Sequence, residues 1–455
     1  MKMIALLVLG GLFQQDKTTD AGVHRSSLLL RSGKLPPPGE VRVYDFVNYH
    51  KHVELPEPQG AARVALDARL LHPILPRGEA KTLLQIGLRT PKPSRERDAK
   101  PVNLCLVIDR SGSMAEARKM EYVKKGLELL VDELLESDLL SIVLFDDVAE
   151  VLRSAAPVSD PKSVIDQIRG IEPRGRTNLH AGLMKGYEEV LRNPASGRSP
   201  KVILLSDGQA NVGVCGTAEV VAASKPFNEE GIALSTIGIG LAYNDTLMSG
   251  LAAAGRGTYH FLDSAEGIER TFLGELNSLL EKVGRNAVLR VTLAPGVTLR
   301  KIYGYEPAPP ASGVLEFKLL DLPLSLTQIV PIEVDVAPEV ERIADVRLTF
   351  LDEASGKEVA LETSVRAARA AGDPPVDPRV EKNLAIARLA DAFKAACGQA
   401  QAGASGTARE TLEGALRDAQ AIYGSPEKLE DKDLQRMVVL VRESLEILTN
   451  PRGKP

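Results

Sequence analysis

The residues best suited to chemistry lie in the run Val107-Ile108-Asp109-Arg110-Ser111-Gly112-Ser113-Met114. An apolar strand reads up to Asp109, and a polar loop then presents Ser111 and Ser113 before a helix. Two other segments carry matching donors. Gly175-Arg176-Thr177-Asn178 precedes a helical pattern, and Ser206-Asp207-Gly208 closes the strand-like run 201–205. Ligands of open α/β sheets bind beyond the carboxyl ends of the strands, so these loops are expected at one edge. Together they bring two carboxylates and three hydroxyls. Every donor is a hard oxygen and no His or Cys stands nearby in sequence. That set points to Mg²⁺, with Mn²⁺ or Ca²⁺ as the other candidates, rather than to zinc.

The elements that must hold these loops alternate in texture. Apolar runs at 103–109, 140–145, 201–206, 233–240 and 258–262 read as strands, with helical patterns at 119–135, 179–191, 218–230 and 245–253 between them. A last helix is expected over 265–283. Short apolar strands alternating with helices imply an α/β fold with a doubly wound, mostly parallel sheet. Residues 150–156 follow 140–145 too closely for a crossover, so they are expected as an antiparallel edge strand.

The order Asp-x-Ser-x-Ser, then a loop Thr, then an Asp after a strand resembles the metal-ion-dependent adhesion site of von Willebrand factor type A (VWA) domains. The resemblance covers roughly 102–283, and Phe145-Asp146-Asp147 is similar to another strand end of that family. It implies a VWA (Rossmann-like) fold in which Ser111, Ser113 and Thr177 ligate the cation directly, while Asp109 and Asp207 act largely through water. Mg²⁺ prefers six oxygens and usually keeps waters. Neutral hydroxyls leave its charge poorly neutralised, so a carboxylate from a partner protein can complete the shell. The expected function is therefore divalent-metal-dependent protein–protein binding, with a partner that presents Asp or Glu. The plainer alternative is an ion that only ties three loops together. The resemblance also suggests that the helix at 265–283 shifts when the site changes ligands.

The flanks differ in texture from this centre. Residues 1–13 are apolar after one Lys and have the length of a signal-peptide core, too short for a span of about 20 residues. Residues 14–40, with Pro36, Pro37 and Pro38, read as a linker. The segment 41–100 is expected to give a short docking helix, rich in Tyr44, Phe46 and Tyr49, and strands at 62–71 and 81–89. The α/β domain occupies 101–284, a β region 285–372 and three helices 373–455. Strands from 62–89 are expected to join those from 288–365 in one β-sandwich interrupted by the α/β domain. The arrangement is similar to bacterial cell-envelope VWA proteins, and no Cys follows the apolar run to carry a lipid anchor. Export to the periplasm or outside is the expected location. The alternative is a cytoplasmic VWA adaptor for an AAA-type ATPase.

Composition narrows the remaining classes. The 455 residues are 44% hydrophobic and 26% charged, with a net charge of −5. That is the balance of an ordinary globular chain rather than of a nucleic-acid binder, which needs a basic face. With no Trp, 9 Phe and 9 Tyr, base- or sugar-stacking platforms have little to build on. The three cysteines, Cys105, Cys215 and Cys397, form no Cys-x-x-Cys pair. No Gly-x-Ser-x-Gly elbow, His-Glu-x-x-His or Walker A loop occurs, so an enzyme is not expected, and a Mg-dependent hydrolase stands behind both binding readings. Ser159-Asp-Pro-Lys162 reads as a helix cap rather than a catalytic Ser-x-x-Lys. His50 and His52 read as solvated, lacking a third ligand.

Overall fold

The computed structural model describes residues 21–49, 52, 54–59, 63–92, 101–193, 197–207, 209–240, 243–262, 282–307, 313–372, 375–423 and 431–450. Two helices open the described chain, α1 (Ala21–Arg31) and α2 (Val43–Asn48), followed by strands β1 (Ala65–Leu70), β2 (Ile74–Pro76) and β3 (Ala80–Arg89). The α1 helix lies within the segment expected as a linker, which is a correction. Its sequence, AGVHRSSLLLR, carries no strong apolar stripe, and the contacts that hold it are tertiary. The expected signal segment, residues 1–13, and His50 lie outside the described residues.

The α/β unit comes next. It contains β4 (Val102–Asp109), a 3₁₀ stretch over Gly112–Arg118, α3 (Lys119–Asp132), β5 (Leu139–Phe145), β6 (Ala149–Pro157), α4 (Pro161–Arg169), α5 (Leu179–Arg192), β7 (Ser199–Ser206), α6 (Thr217–Glu229), β8 (Ala233–Ile239), α7 (Asp245–Ala254) and β9 (Arg256–Leu262). The strand order is β6-β5-β4-β7-β8-β9, parallel throughout except for β6, which runs antiparallel to β5. Every residue of β4 is buried, as a strand covered on both faces requires. Leu104, Leu106 and Ile108 pack towards α3 and α4, while Cys105 and Val107 pack towards α5, α6 and α7. Helix α5 approaches the sheet closely: a Cβ on Gly182 would meet Phe145 at 2.5 Å, and one on Gly186 would meet Val107 at 2.3 Å. Asp160, not Ser159, caps α4 by accepting the Ser163 amide.

The chain then returns to β structure with β10 (Lys282–Leu293), β11 (Val297–Ile302), β12 (Val314–Pro323), β13 (Thr327–Val336), β14 (Arg342–Asp352), β15 (Glu358–Arg366) and β16 (Ala368–Ala370). Two four-stranded sheets, β1-β3-β13-β11 and β12-β10-β14-β15, share one apolar core. Strands on both sides of the α/β unit thus build one sandwich, with β3 paired to β13 over its whole length. The helix expected at 265–283 lies outside the described residues, except that Lys282 and Val283 belong to β10. Helices α8 (Pro378–Gln401), α9 (Ser405–Tyr423) and α10 (Lys432–Thr449) complete the chain. Their core includes Val43, Phe46 and Val47 of α2 and, from the sandwich, Leu83 and Ile329. His52 is buried rather than solvated, with Nε2 3.1 Å from the Val47 carbonyl. Cys105 and Cys397 are buried and Cys215 is exposed.

A buried ionic cluster fastens the N-terminal helices to the α/β unit. Arg42 Nη1 donates to Asp245 Oδ2 at 2.8 Å, and Arg25 Nε lies 3.9 Å from Asp245 Oδ1. Tyr259 also donates to Asp245, and the hydroxyls of Tyr243 and Tyr259 meet. Arg25 stacks over the Tyr243 ring and Arg42 over the Tyr259 ring. Second carboxylates complete both guanidiniums: Glu40 for Arg25 and Asp45 for Arg42. Burial alone would raise the Asp245 carboxyl, but Arg42, Tyr259 and Arg25 hold it below its ordinary range. Its contribution to stability is therefore present above about pH 4 and is lost as pH falls through the depressed folded-state value. Asp245→Asn is expected to cost about 3 kcal/mol, because it removes the buried carboxylate that Arg25 and Arg42 share. Urea unfolding at pH 7 measures this, and the gap to wild type should close in acid.

Candidate functional site

The strand order decides where the polar loops meet. Chain leaving β4 crosses through α3 to β5 on one side, and a later crossover returns through α5 to β7 on the other. The carboxyl ends of β4 and β7 therefore flank a topological switch point, where a crevice opens. Asp109 ends β4, and Ser206 ends β7 with Asp207 directly after it.

Four of the five expected site residues form one hydrogen-bonded chain. Asp109 Oδ1 accepts the Ser111 amide at 2.8 Å, and Asp109 Oδ2 accepts the Ser206 hydroxyl at 2.6 Å. The hydroxyls of Ser111 and Ser113 lie 3.2 Å apart, and Ser113 Oγ donates to Asp207 Oδ1 at 2.8 Å. Lys119 Nζ donates to Asp207 Oδ2 at 2.5 Å. Both carboxylates are fully buried, Ser111 and Thr177 are buried, and Ser113 is half-buried. Burial pushes the Asp109 carboxyl up to about 6, with the nearby Asp207 charge adding to the rise and the Ser111 and Ser206 hydrogen bonds opposing it.

Thr177 reaches the same edge through its backbone. Its amide donates to Asn211 Oδ1 at 2.9 Å, and its carbonyl accepts the amides of Asn211 and Val212. Two residues earlier, the Gly175 carbonyl accepts the Gly112 amide at 3.1 Å. Gly175 has φ +69°, and a Cβ there would strike Asp147 at 2.4 Å, so this loop position requires glycine. Asn178 caps α5 by accepting the Ala181 amide. His180, one residue into that helix, is half-buried.

Arg110, the first variable residue of the Asp-x-Ser-x-Ser run, is the second anchor of the loops. Its side chain and that of Arg174 both donate to Asp146 Oδ2, at 2.9 and 2.8 Å. The Arg110 amide bonds the Phe145 carbonyl, and its carbonyl takes the Arg174 amide. Asp146, directly after β5, therefore ties the loop after β4 to the loop before α5 without belonging to the five. Lys119, Ser206, Asn211 and Arg110 were not singled out by residue type and spacing. Only Ser206 and Arg110 lie inside the quoted motifs, where their roles depend on side-chain direction. Among the described residues no group of three or more His, Cys, Asp or Glu has a metal-binding arrangement, so two carboxylates and hydroxyls carry any such role. Asp146→Ala is expected to lower stability by about 2 kcal/mol, since the buried Arg110 keeps only Glu150. Thermal unfolding of the variant checks this.

The comparisons agree with this geometry. Residues 103–273 match the sequence profile of the von Willebrand factor type A domain. The uncharacterized protein YfbK of Escherichia coli strain K12 is 28% identical over 297 residues, covering 64% of this chain and 51% of that protein. Human inter-alpha-trypsin inhibitor heavy chain H3 is 32% identical over 121 residues, 25% of this chain and 14% of that one. The chain spans about half the length, or less, of the curated relatives it matches. Among solved structures, a von Willebrand factor type A protein from Catenulispora acidiphila aligns over 84% of this chain and 98% of its own, with TM-score 0.54 and 16% identity. That likeness speaks for the fold. Profile, strand order and loop placement together identify residues 103–273 as a von Willebrand factor type A domain.

Proposed function

We propose that the edge formed by Asp109, Ser111, Ser113, Thr177 and Asp207 holds a divalent cation, Mg²⁺ in the first instance, and through it binds an Asp or Glu side chain of a protein partner. The observation that carries this reading is the pair of fully buried carboxylates, Asp109 and Asp207, facing a row of hydroxyls at the switch point of the sheet. The donors fit a hard cation, all being oxygens, and the raised Asp109 carboxyl is a group that added positive charge would relieve. Ser111, Ser113 and Thr177 would hold the ion directly, with Asp109 and Asp207 acting largely through water. When bound, the ion supplies an electrophilic receptor for a carboxylate oxygen.

The protein's own residues prepare the receptor. Asp109 fixes the Ser111 backbone, and the Gly112–Gly175 bond keeps the Ser111 and Thr177 loops in register. The reading is a binding module rather than an enzyme. The apolar run at 3–13 supports export, and amino-terminal sequencing of the mature protein tests that. Among the described residues no helix is long and apolar enough to cross a membrane.

Calorimetric titration of Mn²⁺ and Mg²⁺ into the protein should reveal one site of micromolar to millimolar affinity. Ser113→Ala should weaken it at least about tenfold, because a hydroxyl donor is lost from a small-cation shell, with circular dichroism unchanged. Partner capture should require Mg²⁺ and cease in EDTA. Capture that is indifferent to EDTA and to Ser113→Ala would sink the proposal.

A further inference from the structure

We propose that Lys119 is a built-in counter-cation of this site, one that weakens its hold on the divalent ion and strengthens the ion's hold on a partner carboxylate. The inference rests on the reading of the site as a cation receptor. Lys119 is the first residue of α3 and is only 8% exposed. Its ammonium donates to Asp207 Oδ2 at 2.5 Å and to the Ser113 carbonyl at 3.2 Å. One further carboxylate, the exposed Glu116, lies 3.9 Å away.

Helix stability does not explain the position. A cation in the first turn opposes the helix dipole, and a buried ammonium forfeits hydration. The backbone is bent to put it there: Ala117 and Arg118, just before it, both take left-handed conformations at φ 49° and 60°. Such conformations in non-glycine residues are strained and persist when the surroundings enforce them. Gly240, directly after β8 with φ +72°, leaves room for the Lys119 stem, since a Cβ there would lie 3.1 Å from Lys119 Cε. The turn before α3 and the end of β8 thus shape a berth for this side chain beside Asp207.

Charge then sets the consequence. With both carboxylates ionised, Asp109, Asp207 and Lys119 leave one net negative charge. A divalent cation converts this to one net positive charge. Without Lys119 the loaded site would be neutral, so it would bind the cation more tightly and an incoming carboxylate less tightly. Arg110 does not change this balance, because Asp146 and Glu150 engage its guanidinium.

The test compares wild type, Lys119→Met and Lys119→Arg in two titrations. Mn²⁺ binding is followed by calorimetry, and acetate binding to the Mn²⁺-loaded protein by paramagnetic relaxation of the acetate methyl protons. Lys119→Met keeps the stem and loses the charge. It should bind Mn²⁺ about tenfold more tightly or better, and acetate several-fold more weakly, as expected for one unit charge at short range. Lys119→Arg should stay near wild type in both. Mn²⁺ binding by Lys119→Met alone would also support the proposal. Equal Mn²⁺ affinity in wild type and Lys119→Met, or weaker binding in the latter with circular dichroism unchanged, would overturn it while leaving the metal site intact. Absence of Mn²⁺ binding in all three would overturn the cation reading itself and this proposal with it.

Discussion

Two carboxylates that cannot reach water, at the ends of neighbouring parallel strands, are the constraint around which this edge of the protein is arranged. Like charges at such a place repel, and burial raises the cost of each. Each nearby group therefore answers one carboxylate oxygen: the Ser111 amide and Ser206 hydroxyl for Asp109, the Ser113 hydroxyl and Lys119 ammonium for Asp207. Their adjacency follows from topology, because chain from β4 departs to one side and returns on the other. The apolar faces of β4 keep the ends of the strands rigid while the loops above them stay polar.

Guanidinium pairs sharing one carboxylate recur where separate segments must be held together. Arg110 and Arg174 meet on Asp146, joining the loops after β4 and before α5. Arg42 and Arg25 converge on Asp245, joining the N-terminal helices to α7 and β9. In both cases a second acid completes at least one guanidinium. Planar, delocalised arginine suits this use better than lysine, which remains a compact point charge. The α/β unit meets the rest of the chain along its β9 edge through that second cluster, while the edge that carries Asp109 and Asp207 stays clear of it.

The centre of the fold and its loop donors were legible in the sequence because parallel strands buried on both faces read as unbroken apolar runs, and polar loops at their carboxyl ends stand out against them. The edge strand β6 was legible from the shortness of its connection, and the sandwich from β-rich flanks on either side. Helix α1 was not, since its 11 residues lack a clear stripe and owe their place to Arg25 and to packing. Strand β11 is illegible for a related reason: Thr298, Leu299, Arg300 and Lys301 are exposed, and its pairing with β13 supplies the order that its own pattern does not. Lys119 reads in sequence as an ordinary solvated lysine at a helix start. Its burial depends on two left-handed residues that local propensity does not suggest.

The pairing of β3 with β13 has a consequence for the order of events in synthesis. Arg89 pairs with Thr327, so the whole α/β unit is translated between the two halves of one sheet. At about 5–20 residues per second, β1 and β3 wait on the order of tens of seconds for their partner. During that interval β3 presents Leu84, Ile86 and Leu88 on an open hairpin edge, while the α/β unit, whose strands lie close in sequence, already has all its partners. The ribosome thus delivers a finished centre inside an unfinished frame, and the period of greatest exposure to mispairing belongs to the sandwich.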